Sequence, residues 1–262
     1  MHIFEILTLG VTQGLTEFIP VSSSGHLVIA QQFFSGASDH LYLEFINIGT
    51  LAALLVYFRT KIIDIIRDIF VNKKYRLALN ILITAIPAGV IGFALSKFIE
   101  SSAFFGSLVV VTVTLGVVGV VMVLLERFPK ASAVKDGEAL SSKRALVIGL
   151  VQVLALIPGV SRSGTTIIAG RLAGLGVAAA AEYSFLASIP IMLGVTLKVL
   201  VSDRTYLAAN FVPLLIGNLA AFIAGMVAIG FLMKYLSRHS LAVFGWYRIG
   251  LSAVLAIVLL VQ

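Results

Sequence analysis

Six long apolar stretches set the terms for this chain, near 41–58, 80–97, 105–126, 181–201, 210–232 and 242–261. A helix needs about 20 predominantly apolar residues to cross a bilayer. Each stretch meets or approaches that length, the first being short and polar at its start. Hydrophobic residues make up 60% of the chain and charged residues 12%, a balance that belongs to polytopic membrane proteins rather than soluble domains. The expected fold class is therefore an all-α integral membrane protein with six transmembrane helices.

Two further segments, about 3–30 and 145–175, are apolar at their ends and broken in the middle. The first break reads Gln13-Gly-Leu-Thr-Glu17-Phe-Ile-Pro20-Val-Ser22-Ser23-Ser24-Gly25-His26 and the second Pro158-Gly159-Val-Ser161-Arg162-Ser163-Gly164-Thr165-Thr166. Lipid cannot solvate a glutamate, a histidine or an arginine, so these groups must face each other or a polar ligand. Broken helices at membrane depth fit re-entrant hairpins whose freed backbone groups line a protected cavity.

Basic residues give the orientation. Arg59, Lys61, Arg67, Lys73, Lys74 and Arg76 occupy the 59–79 loop, and Arg127, Lys130, Lys135, Lys143 and Arg144 the 127–144 loop. Lys234 and Arg238 follow the fifth span, whereas the 31–40 loop has neither Lys nor Arg. If both broken segments return to the side they entered, all three basic loops become cytoplasmic. The net charge of +7 then belongs to these loops and not to a nucleic-acid surface. The start, MHIFEILTLG, has no basic leader and reads as lacking a cleavable signal. Cysteine is absent, so no disulfide framework or thiolate metal site enters.

The broken segments also resemble each other. At a constant offset of 139 residues, Gly10, Gln13, Leu15, Val21, Ser22, Ser24, Gly25 and Ala30 meet Gly149, Gln152, Leu154, Val160, Ser161, Ser163, Gly164 and Ala169. One hairpin would enter from each side, giving an inverted-topology repeat: a single polytopic domain over 1–262, with repeats of about 1–126 and 145–262 joined by a cytoplasmic 127–144 loop. In such folds the site lies near the midplane, where the broken segments meet.

The residue types there point to an anion, with phosphate the leading candidate. Ser22, Ser24, Gly25, Ser161, Ser163, Gly164 and Thr166 supply hydroxyls and open backbone N–H groups at two helix starts. Arg162 adds a planar fork suited to phosphate oxygens. The same Ser and Gly residues also permit close helix packing. Glu17 and His26 are candidates for metal ligand, general base or orienter of a nucleophile. Gln13, one helical turn before Glu17, suggests an oxygen-rich Mg²⁺ or Ca²⁺ site completed by ligand phosphate. Elsewhere, Glu44 and Glu182 read as helix-start charges and Asn47 and Asn218 as interhelical links. Arg171 reads as paired with an acidic neighbour such as Glu182, and Arg248 as an anchor near an interface.

At the two motifs the sequence resembles the bacitracin-resistance family of undecaprenyl-diphosphate phosphatases. A Glu/Gln-x-x-x-Glu run leads into P-V-S-S-S/T-G-H, and P-G-x-S-R-S-G follows later; here these are Gln13 to Glu17, Pro20 to His26 and Pro158 to Gly164. The resemblance implies a membrane hydrolase of the bacterial inner membrane, its site opening to the outer face. It would remove the terminal phosphate of undecaprenyl diphosphate, recycle the lipid carrier for peptidoglycan, use a divalent cation and confer bacitracin resistance. It makes Glu17, Ser23, His26 and Arg162 the catalytic set, while Gln13 stands where some members carry glutamate. Attack by Ser23, with His26 beside it, or by water activated by His26 or Glu17 are the two routes. The expected partners are the lipid substrate and the membrane, with a homodimer as the candidate assembly. A flippase working through the same cavity, or a non-catalytic assembly module, are the rival classes.

Overall fold

The structure is a computed structural model and describes residues 2–34, 40–127 and 132–261. Residues 35–39 of the expected 31–40 loop, and 128–131 of the 127–144 loop with Lys130, lie outside the described residues. In chain order the helices are α1 (Ile3–Phe18), α2 (Ser23–Gln31), α3 (His40–Phe45), α4 (Asn47–Tyr57), α5 (Arg59–Phe70), α6 (Arg76–Ala94) and α7 (Ser96–Ser101). They continue as α8 (Leu108–Arg127), α9 (Ser142–Gln152), α10 (Arg162–Leu172), α11 (Val177–Ser202), α12 (Arg204–Ala209), α13 (Phe211–Leu236) and α14 (Ala242–Val261). Among the described residues there is no strand, only one isolated parallel bridge between Val134 and Leu175.

Six helical stretches are long and apolar enough to span a membrane: His40–Tyr57, Arg76–Ala94, Leu108–Arg127, Val177–Ser202, Phe211–Leu236 and Ala242–Val261. They coincide with the six apolar stretches, with ends shifted by a few residues. The second starts at Arg76 rather than 80, and the fourth at Val177, where Gly176 is the N-cap. Helix geometry persists past the apolar run into flanking polar residues, so apolarity alone misplaces the ends. Leu79, Leu82, Ile86, Val90 and Phe93 form an exposed stripe along α6, and Leu215, Leu219, Ile223 and Val227 another along α13. Apolar stripes at helical spacing facing outward are what a lipid solvent favours.

The 59–79 stretch, expected as a loop, contains α5. Ile62, Ile63, Ile65, Ile66 and Phe70 recur at helical spacing among Lys61, Asp64, Arg67 and Asp68, giving an amphipathic helix with exposed Ile63, Ile66 and Phe70. Lys61 holds Glu182 of α11 at 3.0 Å. Glu182 is therefore not the partner of Arg171, which instead approaches Glu126 at 4.0 Å and donates to the Leu175 carbonyl.

The core gathers Phe18, Leu54, Phe58, Met122, Ile167, Phe185 and Ile229 from six elements. α1 lies along α13, α9 along α6, and α8 along α14. The α1–α13 approach is close because Gly14 faces the neighbouring backbone: a Cβ there would stand 2.5 Å from the Ala221 carbonyl oxygen. Asn218 accepts the Gly49 N–H at 2.6 Å, linking α13 to α4 as expected of an interhelical amide.

Candidate active site

Both broken segments are built alike. α1 stops at Phe18 because Ile19, preceding Pro20, is driven to an extended backbone. Ile157 before Pro158 is extended for the same reason. Each chain then turns through a serine in a left-handed conformation, Ser22 and Ser161, both at φ 78°. Non-glycine residues rarely adopt this geometry and hold it where surrounding contacts impose it. Each of these serines caps the following helix: Ser22 Oγ accepts the Gly25 N–H at 3.3 Å, and Ser161 Oγ accepts the Gly164 N–H at 3.1 Å. The Ser22 and Ser24 hydroxyls lie 3.2 Å apart, as do those of Ser161 and Ser163. The two turns touch at glycine, since a Cβ on Gly25 would stand 3.4 Å from the Gly159 Cα.

Across this junction Glu17 is the hub. Its Oε1 accepts from Arg162 Nη2 at 2.7 Å, 145 residues away in sequence. Its Oε2 accepts from the Ser23 hydroxyl at 2.6 Å and from Gln13 Nε2 at 3.1 Å. Gln13 also donates to Asn47 Oδ1 at 2.7 Å, so α4 braces the network from behind. Arg162 Nη2 additionally contacts the Met192 sulfur at 3.6 Å. Among the described residues Arg162 Nη1 is buried with no hydrogen-bond partner. A buried guanidinium donor left open is costly, and it marks where an acceptor belongs.

His26 stands apart from this hub. Its Nδ1 lies 2.7 Å from the Ser22 carbonyl oxygen and its Nε2 2.7 Å from the Tyr247 hydroxyl, with the two rings nearly parallel. A carbonyl only accepts, so Nδ1 carries the hydrogen and neutral His26 offers Nε2 as acceptor. The serine–histidine pair expected from the sequence is thus replaced by a Ser23–Glu17 pair, because the imidazole is drawn back to the helix start and across to α14.

The remaining candidates divide by exposure. Ser24 is exposed beside the junction, while Ser22, Ser161 and Ser163 are buried with hydroxyls engaged within their own turns. Gly25 and Gly164 are the buried capped positions. Thr166 is 1% exposed, bonded to the Arg162 carbonyl and to the Ser184 hydroxyl of α11, so it supports the turn from its far side.

α14 adds a residue that the sequence reading set at an interface. Arg248 is completely buried and donates to carbonyls of both turns, Pro20 at 3.2 Å and Val160 at 3.2 Å, with Gly159 also in reach. An arginine inside an apolar span is itself a signal of function, but only the fold shows what it reaches. Met192 and Tyr247 carried no sequence signal of this kind, while Asn47, read as an interhelical link, does join α4 to Gln13 of α1.

The family model described as bacitracin resistance protein BacA matches residues 6–254, from the first turn of α1 to within α14. This chain belongs to the BacA family. It is 41% identical to undecaprenyl-diphosphatase 1 of Clostridioides difficile (strain 630), over 97% of this chain and 95% of that protein. It is 35% identical to undecaprenyl-diphosphatase 2 of Paramagnetospirillum magneticum, covering 98% and 99% of the two chains. The undecaprenyl-diphosphatase of Nitrosomonas europaea is 35% identical, with 95% and 91% covered. Both breaks and five of the six spans of this BacA-family chain fall inside the matched region, which ends within the sixth span.

Among the described residues no three His, Cys, Asp or Glu side chains gather as a metal site. Among the described residues Glu17 is the one carboxylate at the junction, and both its oxygens already take hydrogen bonds. Such a donor set does not cage a cation by itself. It fits one that brings most of its oxygen ligands with it, as a diphosphate-bound Mg²⁺ or Ca²⁺ would.

Proposed function

We propose that this chain hydrolyses undecaprenyl diphosphate to undecaprenyl phosphate and inorganic phosphate within the bacterial inner membrane. The carrying observation is the Arg162–Glu17–Ser23 constellation with its open Nη1 donor. In the resting arrangement Arg162 and Glu17 neutralise each other. The terminal phosphate takes Arg162, and Glu17 becomes free to accept a proton. The helix starts at Ser23 and Arg162 add their positive dipole ends.

In the chemical step Ser23 Oγ bonds to the terminal phosphorus as its proton passes to Glu17. The bond from phosphorus to the bridging oxygen breaks, and that oxygen leaves on the polyprenyl monophosphate. Water then attacks the phosphoserine phosphorus, the bond to Ser23 Oγ breaks as Glu17 returns its proton to that oxygen, and inorganic phosphate leaves with the water's oxygen. Arg162 balances the charge on the transferred oxygens throughout. A divalent cation arriving on the diphosphate, with Glu17 as its protein carboxylate and Gln13 nearby, would supply further charge compensation. Translocation alone leaves the Ser23–Glu17 hydrogen bond without a purpose.

An apolar groove of about 590 Å³ between α6 and α11, lined by Ile86, Gly89, Phe93, Leu156, Ile191 and Gly194, receives the first isoprene units. Leu156 leads into the second turn, and Ile191 adjoins Met192, which touches Arg162. The paired broken segments are re-entrant hairpins of an inverted repeat. Support comes from the matching φ and caps of Ser22 and Ser161, and from α1 on α13 beside α9 on α6. The basic residues around α5 and at the start of α9 support a cytoplasmic side for those ends, and with it the reading that the site faces outward. The test is release of inorganic phosphate from undecaprenyl diphosphate by the purified protein in detergent. Lipid movement in vesicles without phosphate release would overturn the reading.

A further inference from the structure

We propose that Arg248 is a positioning residue that holds the two broken segments at the separation catalysis requires. The proposal rests on the reading of the junction as a phosphatase site. Arg248 is wholly buried in α14, yet among the described residues it forms no ion pair. A buried charge without a counter-ion is costly and persists where it has a task.

Among the described residues its hydrogen-bond partners are backbone carbonyls alone. Nη1 donates to Pro20, in the turn that presents Ser23. Nη2 reaches Gly159 and Val160, in the turn that presents Arg162. Nε and Nη2 also lie 3.4 and 3.5 Å from the Leu115 and Thr114 carbonyls of α8. One rigid guanidinium therefore bridges the two turns and ties both to the α8–α14 pair. A planar fork with five donors can span such a gap, whereas a lysine ammonium is a single point. Thr114 reinforces the second turn, donating to the Pro158 carbonyl at 2.7 Å. The pull on backbone rather than side chains means that Ser23 and Arg162 are set by the same clamp without touching it.

The test uses full-length protein in detergent. In Arg248→Lys, kcat is expected to fall about 100-fold, the scale of a misplacement near 1 Å, while KM stays near wild type. Thr114→Val, which removes one hydroxyl, keeps the fold and lowers kcat by a few-fold in the same sense. The double variant Arg162→Lys/Arg248→Lys is expected to lose clearly less than the product of the two single losses, because the clamp sets Arg162 as well as Ser23. Multiplicative losses in the double variant would overturn the proposal, as would wild-type kcat in Arg248→Lys. Should Arg248→Lys fail to fold, wild-type kcat in Thr114→Val overturns it. Wild-type protein that releases no phosphate instead defeats the functional reading, a separate outcome.

Discussion

The Ser23 hydroxyl donates to Glu17 Oε2 over 2.6 Å, so the serine's proton already points at a carboxylate. Glu17→Gln keeps the size and removes the base. Its kcat is expected to fall by about 10²–10⁴, the usual worth of a positioned general base. Rapid acid quench of the wild type should trap phosphate on Ser23, and Ser23→Ala should abolish both the label and turnover. Normal turnover in Ser23→Ala would assign attack to water.

Arg162 and Glu17 also matter to stability, because each shields the other at the protein's centre. Arg162→Met leaves the Glu17 carboxylate without its counter-ion, and breaking such a pair costs about 3–5 kcal/mol when fully buried. The cost here is expected at or below the lower end, since both side chains keep some exposure. Glu17→Gln/Arg162→Met should recover most of it. Thermal unfolding in detergent reads both variants, and equal melting temperatures for single and double would refute the coupling.

Tyr247 is expected to act on His26 rather than on the fold. Phenylalanine in its place keeps the ring stacking and removes the partner of Nε2. Tyr247→Phe should retain the wild-type melting temperature but change the pH dependence of kcat. An unchanged profile would make the contact purely structural.

The Lys61–Glu182 pair offers a contrast at the edge of the membrane. Partial burial disfavours the Lys61 ammonium, but the hydrogen bond and charge of Glu182 outweigh it and raise its pKa above 10.5. A raised folded-state pKa means the contribution is complete below the ordinary lysine value and fades as pH climbs through the folded one. Both groups are well exposed, so Lys61→Ala is expected to cost under about 1 kcal/mol and to spare kcat. Its stability deficit should be constant from pH 6 to about 9.

The spans and the two turns were legible because each leaves a local mark: long apolarity for the first, and Pro, Gly and Ser among helix-forming residues for the second. The convergence of Glu17 and Arg162 was legible too, since isolated charges in apolar surroundings must find one another. What escaped were facts about facing. His26 sits beside Ser23 in sequence, yet its ring turns to a residue 221 positions later. Arg171 had two acidic candidates within reach of its helix, and neighbouring helices decided for Glu126 over Glu182. Arg248 showed its charge but not the five carbonyls around it. The amphipathic period of α5 was present in the sequence, hidden by the density of basic residues that reads as a loop.

The lie of α1 along α13 has a consequence for synthesis. Of the two, the helix carrying Glu17 is made earlier, and the surface it must cover follows nearly two hundred residues later. Until then Gly10 and Gly14 have no backbone to rest against, although Arg162, the partner of Glu17, has already been made. The nascent chain must keep a charged, half-apolar helix at the bilayer edge through most of translation. Shortening the chain at its far end should therefore leave α1 without its packing surface, so that a ribosome stalled before α13 holds the residues of the site but not the helix that seats Glu17.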